Sequence, residues 1–399
     1  MSSTSASDAR RVRLFGSLCA LVFLVNFGRV VFAPLVAPLQ ADFVTSDAAV
    51  GLVATLAWLG SALPRLPTGW LLTRVDRHHV VLGTGALLAV SSAGMTFAPT
   101  IEFVMLGAFL VGLASGAYFV AANPLISELF PERVGRVVGV HGTASQLAAA
   151  VAPVLVGRVL LEAFSWRAPF YLLSAAAVVV TGVIYVLAGR TDLPSAGSSD
   201  RNLLGAIRRQ YRVVLLGVVV VGVAGLVWNG FFNFYIKYLT ETKQIAPATA
   251  ETLLTVVFAA GVPAFWYTGR LADRFRHVPL MLAVLGGFVA TLLALTFVDG
   301  LVAVAAVSVV LGYAVHSLFP AIDTFLLDSL PDSDRASAYA GYSAVMMVVQ
   351  AMGSVVIGTL VGAGIPYDTV FRVAGAGLAV LVAALVVLYR AGRLPAGAS

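Results

Sequence analysis

Twelve long apolar segments separated by short polar loops make up most of this 399-residue chain. A helix that crosses a membrane needs about 20 apolar residues, so twelve of them need roughly 240. The composition agrees, because 60% of the residues are hydrophobic and only 11% are charged. This balance excludes an ordinary soluble enzyme, a disordered chain and a nucleic-acid-binding domain. The apolar runs also lack the alternation of an outer-membrane barrel strand.

The segments therefore predict an all-α membrane protein with twelve transmembrane helices, because lipid offers no hydrogen-bond partner to an open strand edge. We number the segments as predicted spans 1 to 12, at residues 14–39, 48–72, 79–98, 103–128, 135–160, 168–189, 213–239, 249–271, 278–297, 301–327, 336–362 and 368–390.

The longest internal polar stretch divides these spans into two sets of six. It contains GRTDLPSAGSSDRN followed by the basic sequence LLGAIRRQYR, which is typical of a linker and a short surface helix. We therefore expect an N-terminal half at 1–190, a cytoplasmic linker at 191–212 and a C-terminal half at 213–399.

The basic residues predict the orientation of the chain in the membrane. Of the 25 Lys and Arg residues, 18 fall in the segments that share a side with the N-terminus and five at the opposite ends, while Arg29 and Arg65 lie inside spans. Because cytoplasmic loops carry the excess of basic residues, both termini and the linker are expected in the cytoplasm. We expect a multi-pass protein of the cell membrane. Its macroscopic partner is the lipid bilayer, and we expect it to bind no nucleic acid.

Two motifs recur at one offset of 200 residues. GWLLTRVDRHH at 69–79 matches GRLADRFRHVP at 269–279, and SELFP at 127–131 matches LDSLP at 327–331. Two independent matches at one spacing indicate a duplicated six-helix unit.

At these motifs the chain resembles the major facilitator superfamily of secondary transporters. That family carries a loop Gly-x-Leu-x-Asp-Arg-x-Gly-Arg-Arg after helix 2 and again after helix 8. The resemblance implies two pseudo-symmetric six-helix halves, alternating access and a loop latch that breaks when the halves rock. The gating residues that it implies are Gly69, Arg74, Arg77, Gly269, Asp273 and Arg274, while Thr73 replaces the Asp of the first loop.

Three ionisable residues lie deep in predicted spans, where a charge is costly and often functional. Arg29 lies in span 1, Arg65 in span 2 and Asp323 in span 10. In the family fold, helices 1, 4, 7 and 10 line the central cavity and helix 2 flanks it. Because guanidinium groups bind carboxylate and phosphate-like oxyanions, we expect a small anionic substrate at Arg29 and Arg65. The alternative is that both bond to backbone carbonyls or to Asp323 and only support packing.

Further polar residues on the cavity helices could orient a solute or simply bond helices together. These substrate-binding candidates are Asn26, Tyr118, Asn123, Asn229, Asn233 and His316. Asp323 and His316 are seven residues apart and share a helix face. Since buried carboxyl and imidazole groups can titrate near neutral pH, either could carry a coupling proton.

Several alternatives stay open. Ala62–Gly69 partly resembles the helix-2 motif of the nitrate/nitrite porter branch, but Phe265 occupies the place of that branch's second Arg. A proton-coupled efflux pump for drugs or hydrophobic compounds is the runner-up, and a non-transporting receptor or scaffold is the alternative of another class. We find no catalytic set, Walker loop or metal-ligand spacing, so we expect a transporter that is not an enzyme and needs no cofactor or metal. We expect it to function as a monomer.

Overall fold

The structure, a computed structural model, describes residues 2–72, 74–130, 134–191, 193, 203–272 and 274–394. These residues form helices and no strand. The first half contains α1 Ser2–Val30, α2 Phe32–Phe43, α3 Asp47–Ala62, α4 Arg65–Leu71, α5 Arg77–Thr96, α6 Ile101–Leu129, α7 Val134–Val154, α8 Leu161–Ala163 and α9 Ala168–Ala188. The second contains α10 Leu203–Arg209, α11 Tyr211–Gly217, α12 Val223–Glu241, α13 Pro247–Ala259, α14 Gly261–Ala272, α15 His277–Leu295, α16 Leu301–Ser329, α17 Asp332–Ala351, α18 Gly353–Gly362 and α19 Tyr367–Arg390. Two π-helical segments follow α7 and α11, at Leu155–Leu160 and Val218–Gly222.

Within the described residues, twelve helical stretches are long and apolar enough to cross a membrane. They are Ala9–Val30, Asp47–Leu71, Arg77–Thr96, Ile101–Leu129, Val137–Ala163, Ala168–Ala188, Tyr211–Glu241, Pro247–Thr268, His277–Leu295, Leu301–Asp323, Ala338–Gly362 and Tyr367–Arg390. The predicted all-α class with twelve transmembrane helices is confirmed.

Predicted span 1 is divided in the structure. Helix α1 ends at Val30 and α2 begins at Phe32. Pro34 explains the break, because it has no N–H to donate to the carbonyl of Val30 four residues earlier. Helix α2 continues the buried apolar stretch as far as Leu39. Arg29, in the last turn of α1, is therefore followed by further apolar helix and not by a polar loop.

The chain separates into two compact units. The first contains residues 1–44 and 56–200, and the second contains residues 45–55 and 201–399. The first turns of α3 thus pack with the second unit, where the Thr55 hydroxyl accepts a hydrogen bond from the Val355 N–H at 3.0 Å. In the predicted linker region, the structure has the short helix α10.

Helix α10 docks on α17 through one buried carboxylate. The Arg209 Nε donates to Asp334 Oδ2 at 3.0 Å, and the Gln210 amide donates to the same oxygen at 3.1 Å. These hydrogen bonds lower the pKa of Asp334 to about 2. The linker helix is therefore tied to the start of α17.

The 200-residue repeat is visible in how the helices pack. A β-carbon at Gly112 of α6 would overlap the carbonyl oxygen of Ala57 on α3, and one at Gly312 of α16 would overlap that of Val257 on α13. Both pairs are related by the same offset. In each unit, a glycine lets two helix backbones approach closely, and in the first unit this brings α3 beside α6.

Candidate functional site

Arg29 is buried in the first unit, with 8% of its surface exposed. Its Nη1 donates to the Ser61 hydroxyl at 3.2 Å, and its Nη2 donates to the Asn26 side-chain oxygen. The Asn26 amide in turn donates to the Ser145 carbonyl at 2.7 Å. Helices α1, α3 and α7 thus hold this guanidinium in place.

Two aromatic rings lie against the same guanidinium. Its carbon is 4.5 Å from the centre of the Trp58 ring and 5.6 Å from that of Phe119. A cation over an aromatic face is attracted by the ring quadrupole. Arg65 lies close enough for its charge to repel that of Arg29, so the two rings offset part of a local positive excess.

No Asp or Glu among the described residues of this unit forms an ion pair with Arg29, since the pairs found there involve other cations. A guanidinium has five N–H donors. Two are used by Ser61 and Asn26, and the buried Nε is without a hydrogen-bond partner. The arrangement leaves three donors for an acceptor that is not a side chain of this unit.

The close approach of α3 to α6 explains why Ser61 reaches Arg29. A β-carbon at Gly116 would overlap the Ser61 carbonyl oxygen. Trp58 and Ser61 are three residues apart on α3, which places them on one face of that helix, and Arg65 follows at the start of α4. Asn26 and Arg29 are likewise three residues apart on α1.

The other predicted binding residues of the first unit differ in exposure. Tyr118 is fully buried, and its hydroxyl lies 2.6 Å from the Leu18 carbonyl and 3.0 Å from His141 Nε2. The Asn123 side chain is exposed. Tyr118 is therefore engaged between helices, whereas Asn123 remains accessible.

The predicted amides of the second unit bond to each other and to α18. The Ser354 hydroxyl donates to the Asn229 side-chain oxygen at 2.8 Å, and Asn233 Nδ2 lies 3.0 Å from that hydroxyl. Asn229 and Asn233 are 2% and 1% exposed. This network joins α12 to α18.

The two predicted proton sites have different neighbours. His316 is buried, its Nδ1 lies 2.7 Å from the Gly312 carbonyl, and its ring packs edge-on against Trp228. Asp323 is partly exposed and accepts a hydrogen bond from the Tyr339 hydroxyl at 3.0 Å. A carboxylate that keeps one neutral donor and some exposure can exchange protons with its surroundings.

The predicted gating residues are described in part. Arg77 pairs with Glu128 at 2.8 Å, which joins the start of α5 to the end of α6, and the Arg74 guanidinium lies 3.9 Å from the Trp70 ring centre. Gly69 is exposed in α4, Gly269 lies in α14 and Arg274 is exposed after it. Asp273 lies outside the described residues.

One group of side chains has a geometry compatible with a metal ion. Asp76, His78 and His79, at the start of α5, each place one ligand atom within 4.8 Å of the others. The sequence showed no metal-ligand spacing, because adjacent histidines on a regular helix point in different directions.

Sequence reasoning missed several contacts of the predicted residues. Trp58 and Phe119 flank Arg29, and Glu128 pairs with Arg77. Two signals could have found Trp58 and Glu128, namely the i, i+3 spacing of Trp58 and Ser61 and the place of Glu128 in the repeated SELFP motif, whereas none pointed to Phe119.

Comparison with known proteins adds a family. The sequence model of the Major Facilitator Superfamily matches residues 18–241 and 217–398. The "Probable sugar efflux transporter" of Helicobacter acinonychis (strain Sheeba) is 25% identical over 66% of this chain and 66% of its own length. The "Purine ribonucleoside efflux pump NepI" of Salmonella paratyphi B is 25% identical over 58% of this chain and 57% of its own length. The chain therefore spans less than two thirds of each of these relatives.

A solved structure has the same fold. A bacterial homologue of the human lysosomal transporter Spinster superposes with a TM-score of 0.77 at 14% identity, over 94% of this chain and 97% of that one. At this identity the likeness concerns the fold alone.

Proposed function

Because the chain belongs to the Major Facilitator Superfamily, we propose that it is a secondary active transporter that carries a small organic anion by alternating access. The observation that supports this most is the buried Arg29 guanidinium, which keeps three N–H donors and has no carboxylate partner among the described residues of its unit. A buried cation without a counter-ion is stabilised by an anionic ligand. The bound solute supplies the missing negative charge.

Arg65 adds to this selectivity without needing to touch the solute. Its charge acts on Arg29, so a neutral ligand leaves the repulsion in place while an anion relieves it. Asn26 fixes the guanidinium plane through its own hydrogen bond to Ser145, and the exposed Asn123 offers an amide to the solute. Tyr118, Asn229, Asn233 and His316 stay predictions as binding residues.

A proton or ion gradient drives the cycle in this proposal, and Asp323 is the proton-coupling carboxylate of the second unit, with His316 as the alternative group. Protonation of Asp323 removes a charge from a spanning helix, which lowers the cost of its burial. The Tyr339 hydroxyl can donate to the carboxylate and accept from the protonated acid. At the proposed cytoplasmic ends, the Arg77–Glu128 pair takes part in gating together with Arg74, Arg274 and Asp273.

A second candidate is efflux of a neutral polar solute such as a sugar or a purine ribonucleoside. The names of the two relatives, a sugar efflux transporter and a purine ribonucleoside efflux pump, favour it. The Trp58 ring beside Arg29 favours it too, because bases stack on aromatic side chains. Related solutes with and without an anionic group separate the two candidates.

The test uses purified full-length protein in proteoliposomes with an imposed pH gradient. Gluconate is compared with glucose, and inosine 5′-monophosphate with inosine, alongside aliphatic and aromatic carboxylates. We expect gradient-driven accumulation of an anionic solute and none of the neutral partners. Accumulation of glucose or inosine instead establishes efflux of a neutral polar solute. If none of the anions accumulates at either polarity of the gradient, the proposed anion transport is overturned.

The proton role has its own matched variants. Asp323→Asn should weaken the dependence of accumulation on the pH gradient. Asp299→Asn, which changes a carboxylate that is 87% exposed in the same unit, should keep it. An unchanged gradient dependence in Asp323→Asn refutes the role of Asp323.

A further inference from the structure

A buried histidine that the sequence did not single out lies near the Arg29 site. His141 of α7 is 2% exposed, and its Nε2 is 3.0 Å from the hydroxyl of the fully buried Tyr118 on α6. The two rings are nearly parallel, with centres 5.8 Å apart. A polar pair of this kind inside a helical bundle needs an explanation beyond apolar packing.

The hydrogen bonds determine which ring nitrogen carries the proton. A tyrosine hydroxyl has one hydrogen, and at Tyr118 that hydrogen points to the Leu18 carbonyl at 2.6 Å. The Tyr118 oxygen must therefore accept from His141, whose neutral ring carries its hydrogen on Nε2. The lone pair is on Nδ1, so His141 can take up a proton there without breaking either hydrogen bond.

Two structural connections join His141 to Arg29. The first is Phe119, whose ring centre lies 6.4 Å from that of His141 and 5.6 Å from the Arg29 guanidinium carbon. The second is α7 itself, because Ser145 lies one turn after His141 and its carbonyl holds Asn26, which accepts from Arg29. A change in the charge or position of His141 can thus affect the position and charge interactions of the Arg29 guanidinium through these short connections.

Among the described residues, the elements that pack against α7 carry several other charged or titratable groups. Helix α6 contributes Tyr118 at mid-length and Glu102 and Glu128 near its two ends. Helix α1 contributes Arg29 and Cys19, which acts electrostatically on Tyr118, and Arg10, Arg11 and Arg13 nearer its start. Asp42 of α2 is engaged with Arg167 away from this pair. Arg158, in the π-helical segment after α7, is exposed and 17 residues further along, about 25 Å at 1.5 Å per residue.

We propose that His141 is the proton-binding residue of the first unit, and that protonation at its Nδ1 and binding of an anion at Arg29 favour each other. This inference rests on the proposed transport of an anion. A proton on His141 adds a further cation near Arg29 and Arg65, and a bound anion relieves the repulsion among them. The coupling is reciprocal, so proton and anion move across the membrane in the same direction.

The first experiment is calorimetry with gluconate, whose carboxylate does not titrate between pH 5.5 and 8. In wild-type protein we expect the affinity for gluconate to rise on the order of tenfold between pH 8 and pH 5.5, within the range of measured coupling between sites. Binding near neutral pH should also take up protons, which appears as a dependence of the heat on the buffer's ionisation enthalpy.

His141→Gln is the informative variant, because the glutamine amide still donates to Tyr118 but cannot take up a proton. We expect it to lose both the pH dependence and the proton uptake. His277→Gln makes the same substitution at the start of α15 in the second unit and should behave as wild type. A His141→Gln protein that keeps the pH dependence overturns the proposal.

A measurement on wild-type protein avoids dependence on the folding of a variant. With ¹⁵N-labelled histidine, of which the chain has five, NMR reports the tautomer and titration of each ring. We expect neutral His141 to carry hydrogen on Nε2 and to titrate at Nδ1, whereas the opposite tautomer or an untitrated ring between pH 5.5 and 8 overturns the proposal. Gluconate binding that is independent of pH overturns this inference alone, while the failure of every anion to bind overturns the proposed function with it.

Discussion

Replacing Arg29 with methionine separates binding from folding at the candidate site. Methionine keeps a long flexible chain but has no charge and no N–H donor. We expect Arg29→Met to lose anion binding while its free energy of unfolding stays within about 1 kcal/mol of wild type, as the following balance indicates. Such a result is unusual, because replacing a buried residue usually destabilises a protein.

The magnitudes follow from the contacts of the guanidinium. Burying an arginine at the centre of a spanning helix costs about 2.5–3.5 kcal/mol on insertion scales. Stacking on Trp58 at 4.5 Å returns about 2 kcal/mol at a desolvated site, and the bonds to Ser61 and Asn26 return about 1.5 kcal/mol each, the lower value for a bond to a charged group. The variant loses these gains, but it also avoids the cost of burying the charge and gains about 1.5–3 kcal/mol from burying the methionine side chain. These terms nearly cancel, so the stability of Arg29→Met stays almost unchanged.

For anion binding, the loss of the Arg29 hydrogen bonds is not offset by any gain in the variant. A hydrogen bond to a charged group contributes about 1.5–3 kcal/mol, and the free donors of Arg29 can make at least two. Their loss lowers the affinity at least about 100-fold at 1.4 kcal/mol per tenfold. Calorimetric titration with gluconate measures this loss, and the thermal unfolding midpoint in detergent measures stability.

Arg167→Met is the matched control in the same unit. Arg167 Nη1 pairs with Asp42 at 3.2 Å and its Nη2 donates to the Ala98 carbonyl at 3.2 Å, so its removal should lower the unfolding midpoint and leave gluconate affinity unchanged. The reasoning is refuted if Arg29→Met binds gluconate within threefold of wild type. It is equally refuted if Arg29→Met unfolds more readily than Arg167→Met, since Arg29 would then serve packing.

Two further predictions concern the scaffold. Gly112→Val should destabilise the protein by about 1–3 kcal/mol through overlap with the Ala57 carbonyl, whereas Gly83→Ala, where a β-carbon meets nothing within 4 Å, should be neutral or stabilising in the same thermal assay. The Asp334–Arg209 contact should protect α10 from hydrogen exchange at every pH above the unfolded-state pKa of about 3.9. Because the folded pKa is about 2, that protection should fade as the pH falls through this range, and Asp334→Asn should remove it at neutral pH; unchanged protection in the variant contradicts the docking role.

The architecture could be predicted from the sequence because lipid leaves the backbone few choices. Apolar segments of sufficient length must be helical, and the 200-residue offset read from loop motifs also relates Gly112 to Gly312 in the observed packing. The break at Val31 was less visible, since one proline within an apolar run can bend a helix or end it. Arg29 could be identified from the sequence because a charged residue inside an apolar run is easily recognised.

The surroundings of Arg29 could not be predicted in the same way. Phe119 and Trp58 are two of many aromatic residues in apolar helices, and their contact with Arg29 depends on the rotation of α6 and α3 about their axes. That rotation follows from side-chain packing such as the contact of Gly116 with Ser61, which no periodicity in a uniformly apolar helix encodes. His141 escaped notice because its partner Tyr118 lies on another helix.

The 200-residue repeat relates Arg29 to a residue of the second unit with different surroundings. At the 200-residue offset Arg29 corresponds to Asn229, whose side-chain oxygen is bonded by Asn233 and Ser354. The residues that correspond to those two partners in the first unit are Ala33 and Val154, and neither side chain can form a hydrogen bond. The second unit thus has a short amide bonded by Asn233 and Ser354. The first has a longer cation that bonds instead to Asn26 and Ser61 and has apolar residues at the two corresponding positions. Packing alone favours the arrangement of the second unit, and that of the first unit is the one that the proposed anion would complete.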